Sequence, residues 1–200
     1  MTSPARSRDA MEQQLDIFND SRDLALRNDI AQAVLHGELP AAQRSAATLQ
    51  AEFGGDAVLA PAAVLIEHLA WQQSTAAGGG ADVAEVLGLR GRLEGEIAAA
   101  AAAVLGPQDA QAWVAAQWCW LAGRAATIPW QTGQADAHAA ALYLRGRAWP
   151  QAAEAVARIE SWRRIPLPLL WMAQARWHQD GADAAWPLLA EALWLAPARA

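Results

Sequence analysis

The last third of the chain does most to limit what it can fold into. Between Ala139 and Pro197 four helical stretches follow one another as two pairs with similar internal spacing, the last running Gly181-Ala182-Asp183-Ala184-Ala185-Trp186-Pro187-Leu188-Leu189-Ala190-Glu191-Ala192-Leu193-Trp194-Leu195-Ala196-Pro197. Apolar residues recur there at three- and four-residue steps, which gathers them on one helix face. A helix pair of this kind cannot bury its apolar face alone, so it must stack on a neighbour.

The rest of the sequence points to the same class. The chain is Ala-rich and Trp-rich, with 11 Trp residues, while Phe and Tyr number only 2 and 1. Ala is the strongest helix former, and β-branched and aromatic strand formers other than Trp are scarce. An all-α fold follows, in which Ala lets helices approach closely and Trp fills the gaps left between them. With 200 residues the chain can build one continuous body or two small helical lobes.

Gly and Pro punctuate it. Residues 1–10 are expected to be disordered. Residues 11–73 read as an N-terminal hairpin plus a third helix: a helix or broken pair from Met11 to Leu35 stopped by Gly37, a second started by Pro40 and ended by Gly54-Gly55-Asp56, and a third from Ala57 to Gln72. Ser74 to Gly80, with Gly78-Gly79-Gly80, reads as a flexible linker (74–80). Residues 81–200 form the repeat-like region, either separate from 11–73 or continuous with it. Its helices are expected at Asp82–Leu105, Gln108–Ala126, Ala135–Gly146, Pro150–Trp162, Leu167–Gln179 and Ala182–Leu195.

The last four helices resemble the tetratricopeptide repeat (TPR repeat), a helix-turn-helix unit of roughly 34 residues. The final unit carries the resemblance through Met172-Ala173, Gly181, Ala185, Leu189, Ala192 and Pro197. The preceding one offers Ala140, Tyr143, Trp149-Pro150, Ala152, Val156 and Ile159, without a closing proline. A weak echo at 24–53 uses Gly37, Leu39, Ala42, Ala46 and Leu49, with Asp29 where the family keeps an apolar residue. The resemblance implies stacked antiparallel helix pairs, a tetratricopeptide-like α-solenoid, the alternative being an irregular α-helical bundle. It also implies a concave face lined by the first helix of each unit, at Ala141, Leu144 and Arg145, then Leu170, Gln174, Trp177 and His178. Arg163 and Arg164 read either as cations placed against a helix dipole or as a clamp for a partner's carboxylates. Such arrays usually end in a capping helix, so Trp186, Leu189, Leu193 and Trp194 are expected to be partly uncovered or covered by a second molecule.

No catalytic pattern competes strongly. The formal net charge is −6 and the basic residues, all Arg, are dispersed, which argues against nucleic acid. Cys119, inside Trp118-Cys119-Trp120, reads as a buried thiol rather than a nucleophile. His36, His68, His138 and His178 are isolated, so no metal site and no cofactor is expected. The segment Asp16 to Asp23 could converge on a divalent cation through Asp16, Asp20 and Asp23, but a helix cap at Asp20 or Ser21, with Asp23 in the first turn, explains it better. No secretory or membrane-spanning run is present, so a cytoplasmic location is expected. The leading functional expectation is a non-enzymatic protein–protein interaction domain, an adaptor or scaffold holding a peptide or helix of a protein partner. The alternatives are a self-associating structural subunit, pairing through the last helix, and a metal-dependent enzyme using the Asp16–Asp23 segment.

Overall fold

A computed structural model describes residues 22–76 and 78–196. Among these the chain is all-α, with no strand. The helices are α1 (residues 22–35), α2 (Leu39–Glu52), α3 (Leu59–Thr75), α4 (Val83–Arg92), α5 (Ala98–Leu105), α6 (Pro107–Arg124), α7 (Ala139–Arg145), α8 (Trp149–Ala157), α9 (Pro166–Asp180) and α10 (Ala182–Leu195). A π-helical turn, Leu93–Ile97, joins α4 to α5, and short 3-10 turns occupy Thr132–Ala137 and Trp162–Arg164. The described residues divide into two compact units, residues 22–76 with 99–110, and residues 78–98 with 111–196.

In the first unit α2 packs on α3, around Ala42, Leu49, Ala62 and Leu65. Gly37, at φ +70°, ends α1. Its N–H bonds to the Val34 carbonyl and that of Glu38 to the Ala33 carbonyl, a Schellman closure, and Pro40 then sits in the first turn of α2 where no N–H partner is needed. Charge ties the hairpin together. Arg22 pairs with Glu52, and Arg27 bridges Asp23 and Asp56 at 2.7 and 2.8 Å. Asp56, whose side chain is 2% exposed, also accepts from the Val58 N–H. Burial pushes its carboxyl up, but the Val58 N–H and Arg27 outweigh this and hold it below the usual carboxylate range.

The segment 99–110 groups with the first unit, whereas the sequence suggested that it continues the C-terminal region. Poly-Ala has no distinctive apolar face, so its pattern cannot specify which neighbours it meets. Gly80, at the end of the Gly-rich segment, approaches the end of α6 so closely that a Cβ there would lie 2.6 Å from Thr127 Oγ1, and the Ala81 N–H bonds to the Arg124 carbonyl.

In the second unit α7 packs on α8, α8 on α9, α9 on α10, and α7 also meets α9. Leu121, Leu142, Val156, Leu169 and Met172 fill the core, with Ala140, Ala152, Ala173 and Ala185 allowing close approach. Two expected helix limits move. α7 begins only at Ala139, after the 3-10 turn, and α8 stops at Ala157 rather than Trp162, with Arg158 as its C-cap and Ser161 beyond it in a left-handed conformation, φ +55°.

Candidate functional site

The α9 helix carries Leu170, Gln174, Trp177 and His178, four of the residues singled out from sequence. Leu167, Leu170, Gln174, Trp177 and His178 recur at three- and four-residue steps, so they share one face, and all are exposed. The opposite face, with Leu169, Met172, Ala173 and Ala175, is buried. Pro166 sits in the first turn of α9, where it needs no donor, and Gly181, at φ +88°, makes the turn into α10.

Leu167 and Leu170 line a groove of about 410 Å³ with Trp186, Leu189, Ala192 and Leu193 of α10. Trp186 is 68% exposed and Trp194 87%. Among the described residues, every exposed large hydrophobic side chain except Leu24 and Leu87 lies on α9 or α10. A soluble surface rarely gathers apolar groups this way without a partner.

The remaining sequence-derived positions fall elsewhere. Leu144 is only 8% exposed and belongs to the core. Arg145 is exposed, but its guanidinium pairs with Glu94 at 3.0 Å and lies 5.8 Å over the Trp118 ring. Glu94 sits in the π-helical turn and also takes Arg90, which in turn reaches Asp136. Arg163 stacks on Trp162 and approaches Glu191 at 3.7 Å, while Arg164 is exposed. Arg163 lines a shallow recess with Met172, Arg176 and Pro187, away from the residues of the Leu170 groove. His178 stacks flat on Trp149 of α8, ring centroids 3.9 Å apart, and so is fixed in orientation although exposed. Leu170, Gln174, Trp177 and His178 therefore form one surface, and Leu144, Arg145 and Arg163 do not join it.

A second constellation was not legible in sequence. His138, 7% exposed, lies between two Trp rings, stacked on Trp171 and edge-on to Trp130. Its Nδ1 accepts the Ala140 N–H at 3.2 Å, capping α7. Burial, helped by the positive charge of Arg158, pushes its pKa below the ordinary value. Trp130, His138 and Trp171 come from three separate elements, so no local spacing announces them.

The candidate metal and thiol chemistry is quickly placed. Asp16 and Asp20, with the proposed cap at Ser21, lie outside the described residues, as do residues 1–10 and Pro197. Asp23 accepts from Arg27 and from the Leu24 N–H. No group of His, Cys, Asp and Glu suited to a metal occurs among the described residues. Cys119 is partly buried with its Sγ 3.6 Å from the Gly146 carbonyl, and burial raises its pKa, which disfavours the thiolate. No helix among the described residues is long and apolar enough to cross a membrane. Comparison with protein-family models, curated proteins and solved structures finds no match to this chain.

Proposed function

We propose that this chain is a non-enzymatic protein–protein interaction module, tetratricopeptide-like in its C-terminal stacking, that holds an amphipathic helix of a protein partner against α9 and α10. The observation that carries this reading is the exposed apolar groove of Leu167, Leu170, Trp186 and Leu193, with Trp177 exposed further along the same face of α9. A helix presenting apolar residues at three- and four-residue steps suits such a groove, and a few large side chains supply most of the affinity. Gln174 and His178 at the edge offer hydrogen bonds that set register. Arg164, exposed just before the start of α9, would favour an acidic end of the partner helix.

The test is affinity capture with the wild-type chain beside a Leu170→Glu, Leu193→Glu variant whose helix content is checked by circular dichroism. Both positions are exposed, so the variant is expected to stay folded. A partner retained by the wild type and lost by the variant supports the reading, and equal capture by both removes the site from this groove. The exposure of Trp194 favours one second reading, a self-associating subunit. Light scattering separates the two, since that reading requires mass to rise with concentration and to stop rising in the variant.

A further inference from the structure

A cleft of about 500 Å³ opens beside His138, lined by Thr127, Ile128, Pro129, Trp130, Arg158 and Glu160 among others. Ile128, Pro129, Trp130 and Ile159 give it apolar and aromatic surface, and Thr127, His138, Arg158 and Glu160 its polar side chains. His138 Nδ1 is already used as an acceptor by the Ala140 N–H, so in the neutral ring favoured by burial the proton sits on Nε2. That N–H is a donor on a side chain more than nine-tenths buried, with no protein partner among the described residues. Arg158 and Glu160 both reach the cleft, yet neither forms an ion pair among the described residues. Both stand just past α8, Arg158 as its C-cap and Glu160 in the turn that follows, and both are exposed. The cleft thus brings together one cation, one anion, the His138 donor and the Thr127 hydroxyl beside apolar and aromatic side chains, with the opposite charges left unpaired.

We propose that this cleft binds a free α-amino acid with an apolar side chain. Its carboxylate would take Arg158 and the His138 Nε2–H, its ammonium would take Glu160, and its side chain would lie on Trp130 and Ile128. A simple carboxylic acid would leave Glu160 unanswered, and a simple amine would leave Arg158 and His138 unanswered. The site is separate from the α9/α10 groove and does not depend on it.

Isothermal titration of the full chain with L-phenylalanine tests this, with hydrocinnamate and phenethylamine as probes lacking the ammonium and the carboxylate respectively. The expected result is saturable binding of L-phenylalanine, weakened about tenfold or more by either Arg158→Gln or Glu160→Gln, and at least as much weaker binding of both truncated probes. Both variants alter exposed side chains, and unchanged melting temperatures without ligand would show that the fold is intact. Absence of binding at millimolar L-phenylalanine and L-leucine overturns the proposal. So does binding of hydrocinnamate as tightly as L-phenylalanine, or binding indifferent to both substitutions.

Discussion

The α1–α2 and α7–α8 hairpins make the same turn from different residues. In each, a residue in the left-handed conformation, Gly37 or Arg147, gives its N–H to a carbonyl three residues back, and the next N–H, of Glu38 or Ala148, reaches five back to Ala33 or Tyr143. Each then enters its second helix through a proline, Pro40 or Pro150, and buries an alanine two residues later, Ala42 or Ala152. The residues before the left-handed position differ most. His36 is exposed and bonds the Gln32 carbonyl, whereas at Gly146 a Cβ would sit 2.6 Å from Cys119 Sγ and 2.9 Å from the Ala115 carbonyl. The backbone closure is therefore portable, while the surrounding residues record what each hairpin packs against. Charge pairs hold α1 to α2, whereas α7–α8 is held against α6 and α9 by close backbone contact and by stacked rings.

Gly146→Val should break this comparison hardest. It drives a branched side chain into the backbone of α6 and is expected to lower stability by about 2–3 kcal/mol. His36→Val, the equivalent change in the first hairpin, should stay within about 0.5 kcal/mol, because its side chain is exposed. Chemical denaturation of the two variants measures both.

Asp56→Ala is next. It removes a carboxylate that satisfies the Val58 N–H and Arg27, and should cost about 2 kcal/mol in the melting of the first hairpin. Acid sharpens the same contrast. Asp56 has a folded pKa below its ordinary 3.8, so its contribution is present above that value and is lost as pH falls through the folded pKa. His138 also has a depressed folded pKa, below 6.5. Stability from keeping it neutral is complete above 6.5 and declines as pH drops toward the folded value. Hydrogen exchange followed from pH 7 downward should show α7 and its neighbours loosening first, with Arg158 and Glu160 the charged groups lining the same cleft. The first hairpin should loosen only in stronger acid. His138→Gln should remove the earlier phase.

The smallest expected effect is a gain. Arg147 occupies the left-handed conformation that Gly37 takes without penalty, so Arg147→Gly should stabilise the second hairpin by up to about 1 kcal/mol. A rise in melting temperature checks it.

How much of this the sequence revealed depended on range. Pro40, Gly54 and Gly181 carry their structural meaning locally, and α2 and α10 were legible within a residue or two. The end of α8 was not, because Ala157 to Trp162 holds no Gly or Pro to mark the stop at Ala157. The exposed α9 stripe was readable from periodicity combined with the repeat resemblance. Leu144 and Arg145 show the limit of that route: the same geometry assigned them to a groove, but burial takes one and Glu94, far away in the chain, takes the other. The cleft at His138 depends on rings from three elements meeting, which sequence spacing cannot encode.

The apolar face of α9 and α10, unlike the charged exterior of α1–α2, is the surface proposed to hold a partner. The direct measurement is photo-crosslinking in native extract with a benzophenone side chain introduced at Trp186 or, as the comparison, at Leu24. A discrete crosslinked polypeptide from position 186 that is absent from position 24, and abolished by Leu170→Glu, is the predicted result. No adduct at 186, or the same adducts at both positions, would contradict it.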